Sequence, residues 1–212
     1  MKKLAFLVMI LALATFMAAP ASAQGWGVIQ GTYAMSGVGT CINSPGGFTG
    51  LFTPQGPAGL SGVSNNFSGS QLFTGTWNFE PDGNGQVQGH LFGTATYPYP
   101  VPNATKVGFS FNFTYSVTQD GTITVTMDEG SYLATFETGP LTGNTFTLQG
   151  LAYLGTPPVL TPQALSFSGK VSTDHKTLTL DSANQIQKVS VSNGVTNYQI
   201  CNVGRVLIRV SE

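Results

Sequence analysis

Few side chains in this 212-residue chain could do acid–base or nucleophilic chemistry: two His, two Cys and nine Asp and Glu. His90 lies in Val87-Gln88-Gly89-His90-Leu91, on the strand face opposite Val87 and Leu91, and so faces solvent if those two face a core. His175 stands in the polar turn Thr173-Asp174-His175-Lys176. A catalytic triad needs a nucleophile in reach of a base that a third group orients, and Ser and Thr are too abundant here for sequence to select one. There is no Gly-x-Ser-x-Gly, His-Glu-x-x-His, phosphate loop or dinucleotide fingerprint. The acids gather at turns (Glu80 and Asp82, Asp120, Asp128 and Glu129, Asp174, Asp181), where hairpin chemistry accounts for them without catalysis. Glu80-Pro81-Asp82-Gly83-Asn84 collects oxygen donors of the kind Ca²⁺ takes, yet lacks the longer ligand ladder and terminal Glu of an EF-hand loop. The sequence therefore assigns no catalytic residue, no metal ligand and no cofactor.

Compartment is easier to read. Lys2 and Lys3, the apolar run Leu4 to Met17 and the small residues Ala21-Ser22-Ala23 form a cleavable export signal over residues 1–23. The run is shorter than the roughly 20 apolar residues of a helical membrane span. No Cys stands just after the cleavage site, the first being Cys41, so no lipid-anchored N-terminus is expected. Residues 24–212 then form one domain, secreted or periplasmic and bacterial in style. In that oxidising setting Cys41 and Cys201, one near each end, are expected to form a disulfide rather than stay as free thiols. Neither has a His or carboxylate near it in sequence, which disfavours a metal or catalytic pair.

Two of the eight Lys and Arg fall in the leader, leaving six against nine acids and a formal charge of −3. So sparse a charge gives no footprint for nucleic acid or anionic lipid. Protein partners cannot be read from it.

The elements that must position any site are strands. In Val107 to Val117, VGFSFNFTYSV, every second residue is apolar (Val107, Phe109, Phe111, Phe113, Tyr115, Val117), the period of a strand with two unlike faces. No segment after residue 23 shows a helical period. Strands are expected over 28–38, 71–79, 86–96, 107–117, 122–127, 131–138, 145–154, 164–172, 177–180, 186–191 and 195–210, about nine or ten strands in all. Asp-Gly and Asn-Gly turns link many of them. A Gly/Pro-rich connection over 41–69, the link Tyr97 to Pro102 and a loop at Gly155 to Pro162 interrupt the series. The expected fold is all-β, an up-and-down antiparallel barrel of about 8–10 strands whose closure sets first and last strands side by side. A two-sheet sandwich accommodates the same strands.

Gly31-Thr32-Tyr33, Gly75-Thr76-Trp77 and the repeated strand, Asp-Gly turn, strand phrase resemble exported bacterial barrels of the lipocalin-like, or calycin, style. Lipocalins carry the Gly-x-Trp motif on the first strand, whereas here the Trp version comes on a later one. The resemblance implies architecture and transfers no binding residue.

Three environments suit the aromatic face: a filled core, a partly hollow one or lipid. Barrels of about eight strands are either filled by side chains or hold one small ligand. Lipid is disfavoured by the Cys pair, the short connections and the lack of a terminal aromatic in Arg205 to Glu212. Trp77 and Phe79, Ile123 and Val125, Phe146 and Leu148, Leu165 and Phe167, and Val206 and Ile208 are the expected interior partners. Gly75, Gly89, Gly93 and Gly169 either admit close-packed rings or leave room. The leading expectation is a non-enzymatic exported domain binding a small apolar molecule, lined by Trp77, Phe109, Phe111, Phe113 and Tyr115. A structural or surface-interaction protein of the envelope or matrix is the alternative, and an isomerase-like barrel enzyme the third.

Overall fold

The computed structural model describes residues 29–49, 53, 67–96, 103–154, 159–182 and 185–211. The expected leader, most of the Gly/Pro-rich connection and the link Tyr97 to Pro102 lie outside the described residues. Strands β1 (Gly31–Ser44), β2 (Phe67–Phe79), β3 (Asn84–Thr96) and β4 (Asn103–Val117) are long; β5 (Thr122–Met127) and β6 (Leu133–Phe136) are short. There follow β7 (Thr145–Leu154), β8 (Val159–Gln163), β9 (Ser166–Val171), β10 (Thr177–Ser182), β11 (Ile186–Val191) and the long β12 (Thr196–Ser211). The fold is all-β, twelve antiparallel strands among the described residues, more than the nine or ten expected. The strand that falls where a loop was expected is β8, which pairs with β7 from Leu154↔Val159 to Gly150↔Gln163.

The ladder β1-β2-β3-β4-β5-β9-β10-β12 returns to β1, a hydrogen-bonded ring of eight strands. It runs up and down as far as β5 and then departs from that order, because β4 and β12 each serve two partners. Phe113 to Val117 of β4 pair with β5, while Val107 to Ser110 pair with β6. On β12, residues 204–208 pair with β10 and residues 196–200 with β11. One flank of the ring is thus five continuous strands, and the other is split into a β5-β9-β10 block at one end and a β6-β7-β11 block at the other.

Period-2 alternation decides what faces the interior. Phe109, Phe111 and Phe113 are buried, while Asn112 and Thr114, on the alternate phase, are exposed. The outward face of this strand is therefore polar. Cys41 and Cys201 sit directly opposite each other on β1 and β12, with Cα atoms 4.1 Å apart, and form the disulfide. Their inward phase fixes that of β12, placing Val203, Arg205 and Leu207 inside. Val206 and Ile208, expected inside, instead face outward at 45% and 57% exposure. The local pattern, with Val206, Ile208 and Val210 on one phase and Arg205 and Arg209 on the other, favours the opposite face; the register with β1 overrides it.

The Asp-Gly turns behave as their chemistry requires. Asp82 accepts from the Asn84 backbone N–H at 3.0 Å, and Gly83 takes a φ of 91°. Asp120 accepts from the Thr118 and Thr122 hydroxyls at 2.5 and 2.8 Å and pairs with Lys170 Nζ at 2.8 Å, ahead of Gly121 at φ 76°. These hydrogen bonds, the one from Lys170 foremost, hold the Asp120 carboxyl well below the usual carboxylate range.

Candidate functional site

The two ends of the interior differ. At the β5-β9-β10 end Tyr33, Trp77, Phe79, Phe113, Ile123, Val125, Leu178, Leu180 and Leu207 are at most 1% exposed. The Phe113 ring lies 5.0 Å from Trp77 and 5.1 Å from Phe79, centroid to centroid. Gly85 makes this possible: a Cβ there would stand 2.2 Å from Phe113 Cζ, so the ring lies flat over the bare backbone. Tyrosine hydroxyls tie this end to the chain around it. The Tyr115 hydroxyl, with one proton to share, lies 2.5 Å from the Ile29 carbonyl and 2.8 Å from that of Glu80, and Tyr33 donates to the His175 carbonyl at 2.7 Å. His175, at φ 54°, is thereby a turn residue whose backbone is an acceptor for the core.

The other end is hollow. A cavity of ≈ 520 Å³ occupies it, within the range of roughly 300–1,000 Å³ typical of small-molecule sites. Trp77 borders the cavity, its indole N–H donating to Met35 Sδ at 3.0 Å. Phe73, Phe109, Phe111, Tyr132 and Phe167 supply aromatic walls. Val203 and the buried Cys201 continue the wall along β12. Polar side chains also line it, among them Asn43, Gln71, Gln187, Asn197 and Gln199. Two pairs of these amides bond each other: Asn197 Nδ2 donates to Asn43 Oδ1 at 3.1 Å, and Gln199 Nε2 to Gln187 Oε1 at 2.7 Å. Asn197 Oδ1 is buried without a partner.

Of the five aromatics expected to line a ligand, Trp77, Phe109 and Phe111 border the cavity. Phe113 is sealed in the packed end, and half-buried Tyr115 reaches the backbone beside it. Sequence reading missed Tyr132, which stands between the turn after β5 and β6, and Arg205. Among the described residues, Arg205 is the one charged residue bordering the cavity. Its guanidinium carbon lies 5.1 Å from the Phe73 ring centroid and 4.7 Å from that of Phe167. Burial pulls its pKa down to about 10, and it stays protonated at neutral pH. Burial likewise pushes the Tyr132 phenol far above its ordinary value, so it remains a neutral donor.

Elsewhere the titratable groups read as surface structure. His90 faces outward, 3.2 Å from Glu137, which also pairs with Lys106 at 2.6 Å. No group of three His, Cys, Asp or Glu among the described residues is placed to hold a metal ion. The Asp82 carboxylate is taken up by Asn84 within its own turn.

The geometry defines a class: an antiparallel strand ring with one packed end and one aromatic-lined hollow end. Comparison with family models, curated proteins and solved structures finds no match.

Proposed function

We propose that the protein is an exported, non-enzymatic binder of small apolar molecules, holding one in the hollow end as lipocalin-like barrels do. The observation that carries this is the ≈ 520 Å³ cavity walled by aromatic side chains beside a tightly packed end of the same ring. Packed interiors leave few voids larger than a water molecule, so a space of this size next to well-filled core is a feature to be explained. The leader-like first 23 residues and the buried disulfide support export. Catalysis has less support, since among the described residues the cavity wall has no His, carboxylate or free thiol to act as general base or nucleophile.

Titration with the neutral fluorophore N-phenylnaphthylamine tests the reading. Saturable one-to-one fluorescence enhancement and a raised melting temperature are expected, because a ligand that binds only the folded state stabilises it. Absence of both overturns it. Native mass spectrometry of protein purified from its own cells then identifies the occupant.

A second reading, surface interaction, is favoured by one observation. Phe92, Leu72 and Val38 pair in register across β3, β2 and β1, and all three point outward at 43%, 44% and 67% exposure. Replacing Leu72 and Val38 with Thr tests it. Probe uptake should be unchanged, whereas any attachment to envelope or matrix fractions through this row should be lost.

A further inference from the structure

Resting on the ligand-binding reading, we infer that Arg205 is an anion anchor and that the ligand is a monoanionic amphiphile: one carboxylate on an apolar body. Inward positions of β12 alternate as Cys201, Val203, Arg205, Leu207, so a cation interrupts an otherwise apolar face. Three observations separate Arg205 from an ordinary long side chain lying along a core.

The first is a buried donor without an acceptor. Nη1 is buried with no hydrogen-bond acceptor, and no carboxylate lies within ion-pair distance of Arg205 among the described residues. Asp181, the acid that acts on it electrostatically, is exposed and forms no ion pair with it. A buried charge without a counter-ion is costly, and such a group in a folded protein calls for an explanation.

The second is the space made for it. Arg205 pairs directly with Gly37 on β1, and Gly37 with Phe73 on β2. A Cβ on Gly37 would stand 2.9 Å from Arg205 Cγ, so the missing side chain lets the arginine stem cross β1 toward Phe73. The rings of Phe73 and Phe167 then flank the guanidinium. Aromatic faces attract the cation without consuming its N–H donors, which stay available for an acceptor in the cavity.

The third is what surrounds the anchor. Tyr132, neutral and buried, borders the same cavity as a second donor, and the remaining wall near Arg205 is apolar: Phe73, Phe167, Met35 and Val203. Asn197 and Arg205 are separated by roughly 26 Å of strand at the usual rise per residue, so the cavity is elongated along β12. A carboxylate matches the planar guanidinium fork, and an apolar chain matches the walls.

Calorimetric titration of the purified protein with decanoate and with decanol, equal in chain length and different in charge, tests the anchor. Decanoate is expected to bind at least about tenfold tighter, the scale of a charge-assisted hydrogen-bonded pair. In Arg205→Met the preference should vanish while decanol still binds, and Arg205→Lys should keep part of it. Equal affinity of the unaltered protein for both compounds overturns the anchor and leaves the ligand-binding reading standing. Binding of neither overturns both. Should Arg205→Met not fold, the ratio in the unaltered protein and the partial ratio in Arg205→Lys still decide.

Discussion

Strand β4 runs through both ends of the interior, and its aromatics meet opposite fates. Phe113 is wholly buried among Trp77, Phe79 and Tyr115, with Gly85 lying bare beneath it. Phe109, four residues earlier on the same face, stacks against Tyr132 at 6.1 Å and borders open space. The residue type and the alternation are the same. What differs is the closing flank: β5, β9 and β10 bring Ile123, Val125, Leu178 and Leu180 to Phe113, whereas β6, β7 and β11 meet the other half of the flank across a cavity. Strand periodicity thus decides which face is inside, and topology decides whether the inside is full.

The largest expected effect tests this directly. Phe113→Ala should cost about 3–5 kcal/mol, the range for truncating a buried aromatic ring. Phe109→Ala should cost about half as much, since a ring bordering empty space forfeits fewer contacts. Asn112→Ala, on the exposed face, should stay within about 0.5 kcal/mol. Chemical denaturation of the three variants gives the ranking. Equal losses at Phe113 and Phe109 would show that both ends are packed alike, and a large loss at Asn112 would reverse the faces.

How much of this the sequence carried follows from the same distinction. The alternation of Val107 to Val117, the Asp-Gly turns and the joining of Cys41 to Cys201 were readable because each is a local or a pairwise signal. The branching of β4 and β12 was not. A period of two says which way a side chain points and nothing about which neighbour its backbone bonds, so the split flank and β8 stayed hidden. Arg205 is an intermediate case. The alternation of Val206, Ile208 and Val210 favours the wrong face, whereas Cys41 and Cys201, opposed and both buried, face inward, and counting by twos from Cys201 lands on Arg205. That signal was present and became decisive only with the register.

Next in size is the disulfide, whose position sharpens the comparison from the other side. Cys201 borders the cavity, so the covalent link stands in the wall of the hollow end, where side-chain packing is poorest. Removing it as the Cys41→Ala, Cys201→Ala pair should cost about 2–5 kcal/mol, chiefly by freeing the unfolded chain. Probe uptake in the folded variant should weaken as the β1–β12 seam loosens. The native protein should show no reactive thiol. Two titratable thiols, or unchanged melting on reduction, would remove the bond from the account.

The smallest effect expected is an alkaline one, and it reads the tyrosines of the two ends separately. Burial raises the phenols of Tyr33, Tyr115 and Tyr132, that of Tyr115 from 10.0 to about 12. A group whose folded pKa is raised gives its full stabilisation below the unfolded value, and that contribution disappears as pH climbs toward the folded one. Stability should therefore be level up to about pH 10 and decline between 10 and 12. Tyr115 is half-buried, and solvent screening reduces its share to on the order of 1 kcal/mol. Tyr115→Phe loses the hydrogen bonds to the Ile29 and Glu80 carbonyls, so it should start about 1 kcal/mol less stable at neutral pH and then decline less steeply. Tyr132→Phe should flatten the decline in that window at least as much, because its more deeply buried phenol stays neutral in the fold while the unfolded chain ionises. Tyrosinate absorbance followed across the titration, together with melting temperatures of the two variants, separates these outcomes. Ionisation of Tyr132 before Tyr115 would mean that water fills the hollow end as freely as bulk solvent, and the aromatic cavity would then no longer suit an apolar ligand.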